Sequence, residues 1–145
     1  MIIKQISIFV ENKAGRLAEI TEAIAAAGID IRALSIADTT DFGILRLIVD
    51  KPEAAALALK EAGLTVSITN VIAVGIDDTP GAFSVPMRVL ADAGIDVEYM
   101  YAFISRDTQK AYVILRVADN DIATKALLDK GVTLLDENGV YGLVK

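Results

Sequence analysis

A segment near the start of the chain returns almost intact 66 positions later. Ala26-Ala27-Gly28-Ile29-Asp30-Ile31 is answered by Asp92-Ala93-Gly94-Ile95-Asp96-Val97, and Gly15 is answered by Gly81 at the same spacing. Further on, Gly63-Leu64-Thr65-Val66 is answered by Gly131-Val132-Thr133-Leu134, now 68 positions apart. The spacing grows where the second copy has the longer connection Ser105-Arg106-Asp107-Thr108-Gln109-Lys110, and a hairpin tip is where added residues cost least. A chain of 145 residues built this way folds as two copies of one small unit.

The first copy shows what that unit is. Ile6, Ile8 and Val10 alternate with Ser7 and Phe9, the period of a strand. Asn12-Lys13-Ala14-Gly15 reads as a turn. From Arg16 onward Leu17, Ile20, Ile24 and Ala27 recur at three-and-four spacing, which aligns them on one helical face. Gly28 then ends the helix, because only glycine enters the left-handed conformation without steric cost. A second strand is expected over about 30–37, a turn over 38–41 and a third strand over 43–49. Pro52 opens a short helix that ends at Gly63, and a fourth strand follows over about 65–68. The order β-α-β-β-α-β is the split βαβ, or ferredoxin-like, unit. The expected fold is therefore α+β: residues 1–68 and 69–145 form two such units, a pseudo-symmetric pair of antiparallel sheets with helices on one face.

Two features complicate this picture. Asn138-Gly139 is a tight-turn signal after the last strand, so an extra hairpin strand is expected over about 140–144. In the second copy Val97, Tyr99, Tyr101 and Phe103 are expected on one side of a strand, with Met100, Ala102 and Ile104 on the other. A strand apolar on both sides has to be covered on both sides. A unit of this size also buries little surface alone, so pairing of the copies, and of two chains as a homodimer, is expected.

Composition removes whole classes of function. There is no Cys, His or Trp, which rules out serine–histidine and cysteine–histidine nucleophiles and any zinc site using imidazole or thiolate. The net charge of −6 repels phosphate backbones and anionic lipid, so neither nucleic acid nor a membrane is an expected partner. No apolar run approaches the ~20 residues of a membrane-spanning helix. No basic region followed by an apolar segment opens the chain, and a cytoplasmic location is the expectation. Neither a cofactor, a metal nor a catalytic residue is expected.

The second copy carries its first turn as Asp77-Asp78-Thr79-Pro80-Gly81, followed by a helix and then Gly94-Ile95-Asp96-Val97. Strand, Asp-x-x-Pro-Gly-like turn, helix and Gly-Ile-Asp opening a second strand: this order, present twice, resembles the ACT domain. Asp41-Phe42-Gly43-Ile44-Leu45-Arg46 and Glu98-Tyr99-Met100-Tyr101-Ala102-Phe103 are similar to the short, free-standing bacterial proteins with two such domains. The resemblance implies a regulatory, non-enzymatic protein that binds a free amino acid. It also implies association with enzymes of amino-acid metabolism such as aspartate kinase, phosphoglycerate dehydrogenase or acetohydroxyacid synthase. In that family the ligand lies between two domains, one supplying its first strand-to-helix turn and the other the opening of its second strand. Carried over to this sequence, the turns are Asn12, Ala14, Gly15, Arg16 and Leu17, and Asp78, Pro80, Gly81, Ala82 and Phe83. The second-strand openings are Ile29, Asp30 and Ile31, and Ile95, Asp96 and Val97. A regulatory subunit that docks on a biosynthetic enzyme such as acetohydroxyacid synthase without needing ligand is the alternative.

Physical chemistry supports the turns as sites on separate grounds. A helix N-terminus presents unpaired N–H groups that suit a carboxylate, and a glycine there lets a ligand approach the backbone. The plainer reading is that Asn12, Asp78 and Thr79 cap their helices. The copies differ, since the first has Lys13-Ala14 where the second has Thr79-Pro80, and Pro86 confines the second copy's helix to a start near Ser84. Tyr99, Tyr101 and Phe103 fit core or interface as well as a stacked ligand. Arg46 and Arg116 fit structural partners as well as a carboxylate clamp. Asp77-Asp78 and Asp119-Asn120-Asp121 read as turn and cap residues rather than a cation site.

Overall fold

A computed structural model describes residues 2–38, 41–102 and 110–142. Its elements follow the order β1 (Ile3–Glu11), α1 (Arg16–Ala26), β2 (Ile31–Asp38), β3 (Phe42–Val49), α2 (Pro52–Glu61), β4 (Thr65–Asp77), α3 (Ser84–Asp92), β5 (Val97–Ala102), β6 (Lys110–Val117), α4 (Asn120–Asp129), β7 (Thr133–Leu135) and α5 (Glu137–Gly142). The fold is α+β with two ferredoxin-like units. None of the helices among the described residues is long and apolar enough to cross a membrane.

One compact unit runs from Lys4 to Thr69, and the other takes in the chain from Asn70 onward. Within the first, the strand order is β2-β3-β1-β4, and β3 pairs antiparallel with both β1 and β2. Ile6, Ile8 and Val10 of β1 join Ile20 and Ile24 of α1, Leu45, Leu47 and Val49 of β3, and Ala55 and Leu59 of α2 in one core. Within the second unit the order is β7-β4-β6-β5, and Ile72, Val74, Leu115 and Val117 meet Leu90, Ala123 and Leu127 in a second core. Of the strand positions that face away from the helices, Ile3, Gln5 and Ile48 have no exposed surface, whereas Phe9 and Ile44 are exposed.

Local chemistry explains the helix limits. After α1 the N–H of Ile29 reaches back to the Ile24 carbonyl at 3.2 Å, across Gly28 at φ +72°. The same six-residue closure recurs from Leu64 to Leu59, Ile95 to Leu90 and Val132 to Leu127, each across a left-handed glycine that satisfies carbonyls the helix leaves open. Pro52 occupies the first turn of α2, where its missing N–H costs nothing. Asp119 caps α4 by accepting from the Ile122 N–H at 3.0 Å.

Three details depart from the sequence reading. The fourth strand of the first copy does not end near residue 68 but continues as the first strand of the second copy, so the expected boundary falls inside the 13-residue β4. The expected strand over 140–144 is not formed at Val140: residues 137–142 are the helix α5, and 143 and 144 lie outside the described residues. Here Asp136 accepts from the Gly139 N–H at 2.8 Å, and its carbonyl accepts from the Val140 N–H at 3.0 Å. A capping aspartate has drawn Asn138-Gly139 into a helical first turn instead of a hairpin. Finally, a register irregularity between Val97 and Tyr99 places Val97 with the helix-side core, while Tyr99 and Tyr101 pair with Arg116 and Ile114 on the other side. A bulge shifts a strand's facing by one residue, which strict alternation cannot anticipate. Phe103 and Ile104 lie outside the described residues.

Candidate functional site

The two glycine turns are built alike. In the first unit Asn12 follows β1 and donates its N–H to the Asp41 carbonyl at 2.9 Å, and Gly15 sits at φ +83° immediately before α1. In the second unit Gly81 takes φ +85° in the turn before α3. Ala14 and Gly15 are exposed, as are Asp78, Pro80 and Gly81, whereas Arg16, Ala82 and Phe83 are half-buried. Leu17, in the first turn of α1, is 44% exposed although it is apolar. Open space surrounds the Cα of both turn glycines, with no atom within 4 Å of where a Cβ would stand.

Neither helix has a capping residue at its N-cap position. Gly15 precedes α1, Phe83 precedes α3, and neither has a side chain that makes a capping hydrogen bond. For Asp78 and Thr79 the expected alternative of capping is not met, since Phe83 and not either of them holds the N-cap position of α3. The contrast is with α4, which Asp119 caps. Arg16 bonds Glu19 at 3.2 Å through one guanidinium nitrogen, but its Nε, shielded from solvent, has no hydrogen-bond partner.

The second-strand openings lie elsewhere within each unit. Ile31 pairs with Val49 at one end of β3, whereas Glu11, just before the turn, pairs with Phe42 at the other. In the second unit Val97 pairs with Val117, while Asp77 pairs with Lys110. Seven residues of strand at ~3.4 Å each separate the two ends. A copy's own turn and its own strand opening therefore do not form one pocket. Ile29 is buried in the first core. The Asp30 side chain accepts from Arg32 at 2.6 Å, and its N–H donates to the Asp50 carboxylate at 2.9 Å. Ile95 and Val97 pack against the second core, and Asp96 is exposed.

Residues outside the expected set also shape these regions. A narrow cleft of about 50 Å³ joins Asn12, Arg16 and Leu17 to Ile36 and Gly43. A larger one of about 370 Å³ joins Pro80 and Ala82 to Gly75, Lys110, Lys130 and Val132. Arg32, 4% exposed, was not anticipated either. Arg116 is partnered as the plainer reading expects: it pairs with Glu98 at 3.3 Å and donates to the Val117 carbonyl at 2.8 Å. Among the described residues no cluster of acidic groups could hold a metal ion.

Beside the first turn, Lys13 pairs with Glu11 at 2.8 Å. Its hydrogen bond, and then its charge, hold the Glu11 carboxyl below the ordinary value of 4.5. The folded chain thus binds this proton less tightly than the unfolded chain. The pair's contribution is complete above the unfolded value and fades as pH falls through the lower folded one. In Lys13→Met the Glu11 side chain is expected to titrate back toward 4.5, read by carbon-detected NMR of the carboxyl. An unchanged titration would show that the pair is broken in solution.

Comparison with known proteins places this geometry. A family model described as an ACT domain pair matches residues 1–144. The structure of protein BT0572 from Bacteroides thetaiotaomicron is similar, with 41% identity and a TM-score of 0.93, covering 99% of this chain and 98% of that one. The ligand-free regulatory subunit of aspartate kinase from Thermus thermophilus shares the fold at 19% identity and a TM-score of 0.62, with 87% and 91% of the two chains covered. The corresponding subunit from Thermus flavus does so at 17% identity and a TM-score of 0.61, covering 87% of this chain and 90% of that one. No curated protein sequence matches. With two glycine turns, two ferredoxin-like units and a match along nearly its whole length, the chain belongs to the family of ACT domain pairs.

Proposed function

We propose that this protein is a regulatory, non-catalytic binder of a free amino acid, held between two ACT domains by the first turn of one and the second-strand opening of the other. The observation that carries this reading is the pair of turns: each places an open, left-handed glycine before a helix whose N-cap residue makes no side-chain capping bond. A helix N-terminus offers N–H groups and partial positive charge to a carboxylate. This favours α1, because at the start of α3 Ser84 and Val85 already donate to the Gly81 and Ala82 carbonyls and Pro86 has no N–H. Arg16 Nε adds a shielded donor in want of an acceptor. The separation of turn and strand opening within one copy fits a ligand that needs two domains. A neutral zwitterion suits a surface whose net charge is −6 better than an anion with several charges.

The regulated partner is an amino-acid biosynthetic enzyme, and the protein works as a homodimer. Supporting the dimer, β2 ends the first unit's strand order and carries Leu34 and Ile36, which are 52% and 47% exposed. Apolar edge strands are usually covered. The same edge supports a second reading, a subunit that docks on its enzyme without ligand.

The test is a panel of melting curves, each with one common amino acid at millimolar concentration. Ligand at a hundredfold excess over Kd adds about 2.7 kcal/mol, enough to raise the transition by several degrees. A rise confined to one or two amino acids is expected. A flat panel on protein shown by mass spectrometry to be ligand-free favours the docking subunit.

A further inference from the structure

The two copies are not equivalent on the side of the turn that faces the last strand. In the first unit Phe9 pairs with Ile44 and Glu11 with Phe42; in the second Gly75 pairs with Tyr112 and Asp77 with Lys110. By this register Gly75 stands where the first copy has Phe9, and Lys110 stands where it has Phe42. In the first copy those two rings stack with centroids 4.9 Å apart. In the second, the Tyr112 ring and Thr133 close over Gly75, and a cleft of about 370 Å³ lies beside it, lined also by Pro80, Lys110 and Lys130. Lys130, just before the helix-ending Gly131, stands where the first copy has Ala62 before Gly63. Substituting two large rings by a glycine and a lysine, and adding a second lysine, makes a chemically different pocket from the same backbone.

Its walls are Pro80, Val85, Pro86 and Val132, and its charged groups are Asp77, Lys110 and Lys130. Asp77 is engaged by Lys110 at 3.1 Å. Lys130 makes no ion pair with any described residue. The lining thus carries one net positive charge beside an apolar wall, in a volume within the ~300–1,000 Å³ of small-molecule sites. We propose that this cleft binds a small monocarboxylate with a short aliphatic body, its carboxylate on Lys130 and its chain against Pro80, Val85 and Val132. A phosphate would bring two charges and strong hydration to an apolar wall. A zwitterion's ammonium would have to displace Lys110 from Asp77. The site goes beyond the amino-acid site proposed above: the two share Pro80 and Ala82, but none of Ile29–Ile31 or Ile95–Val97 lines this cleft.

The test is amide NMR of the full chain titrated with isovalerate, and separately with valine, up to ~10 mM, where a Kd of about 1 mM fills most sites. Isovalerate is expected to shift the amides of Thr79, Ala82, Gly131 and Val132. Lys130→Glu should weaken that binding by roughly five- to tenfold, the reach of one rim charge reversed. Lys130 is exposed, so this variant is expected to fold. Gly75→Phe restores the first copy's ring, but its Cβ would stand 3.1 Å from the Tyr112 ring, so Lys130→Glu decides. Absence of isovalerate shifts at those amides overturns the proposal, and so does binding that Lys130→Glu leaves unchanged. Valine binding there as tightly as isovalerate, indifferent to Lys130, also overturns it. The amino-acid melting panel repeated on Lys130→Glu should be unaltered, so the two proposals fail separately.

Discussion

Truncating Leu127 to alanine is expected to lower the melting temperature by roughly 6–20 °C. Leu127 is fully buried in the second core, among Leu90, Leu115 and Ala123. Removing a buried leucine side chain costs about 2–5 kcal/mol through lost transfer energy and the cavity left behind. Each kcal/mol moves the transition of a chain this size by about 3–4 °C. Leu59 is its counterpart in the first copy, also without exposed surface, and Leu59→Ala is expected to match it. Because β4 supplies a strand to both units, either substitution should shift one cooperative transition, followed by circular dichroism. A melt in which only half of the signal moves would show that the shared strand does not couple the copies.

Gly81→Val is expected to abolish the amino-acid response and to cost several degrees of stability. The cause is the backbone rather than crowding: nothing stands within 4 Å of the added Cβ, but φ is +85°. An L-residue there pays about 1–2 kcal/mol, and a β-branched one is a worse fit still. Gly81→Asn is the control for strain, since asparagine tolerates the left-handed region. It should keep most of the stability while still placing a side chain where the ligand is proposed to approach. Loss of the ligand-induced shift in both variants, with enzyme docking intact, supports the sensor. Full response in Gly81→Val would remove this turn from the site.

The short-range features were legible in the chain. Alternation in Ile6, Ile8 and Val10, helical spacing from Leu17 to Ala27, and glycines after each of the first four helices depend on neighbours a few residues apart. They reappear as β1, α1 and four identical helix closures. The repeat then doubled every inference, and the family followed from its order. The turns were identifiable too, because a left-handed glycine before a helix is a local requirement.

What tertiary structure decided is non-local. A single β4 replaced a strand, a boundary and a strand, because continuing an extended backbone into the next sheet needs no turn residue and leaves no signal. Asn138-Gly139 carries a hairpin signal, but Asp136 was positioned to cap a helix, and Val140 is fully buried. The bulge at Val97 shifted the strand's facing without any glycine to mark it. The cleft of the second copy joins Gly75, Lys110 and Lys130, residues far apart in sequence whose meeting is set by strand pairing. Sequence determined the units because helices and strands are specified by neighbours; only the paired sheet determined that Lys110 and Lys130 meet around one cleft in the second copy, where the first stacks two phenylalanines.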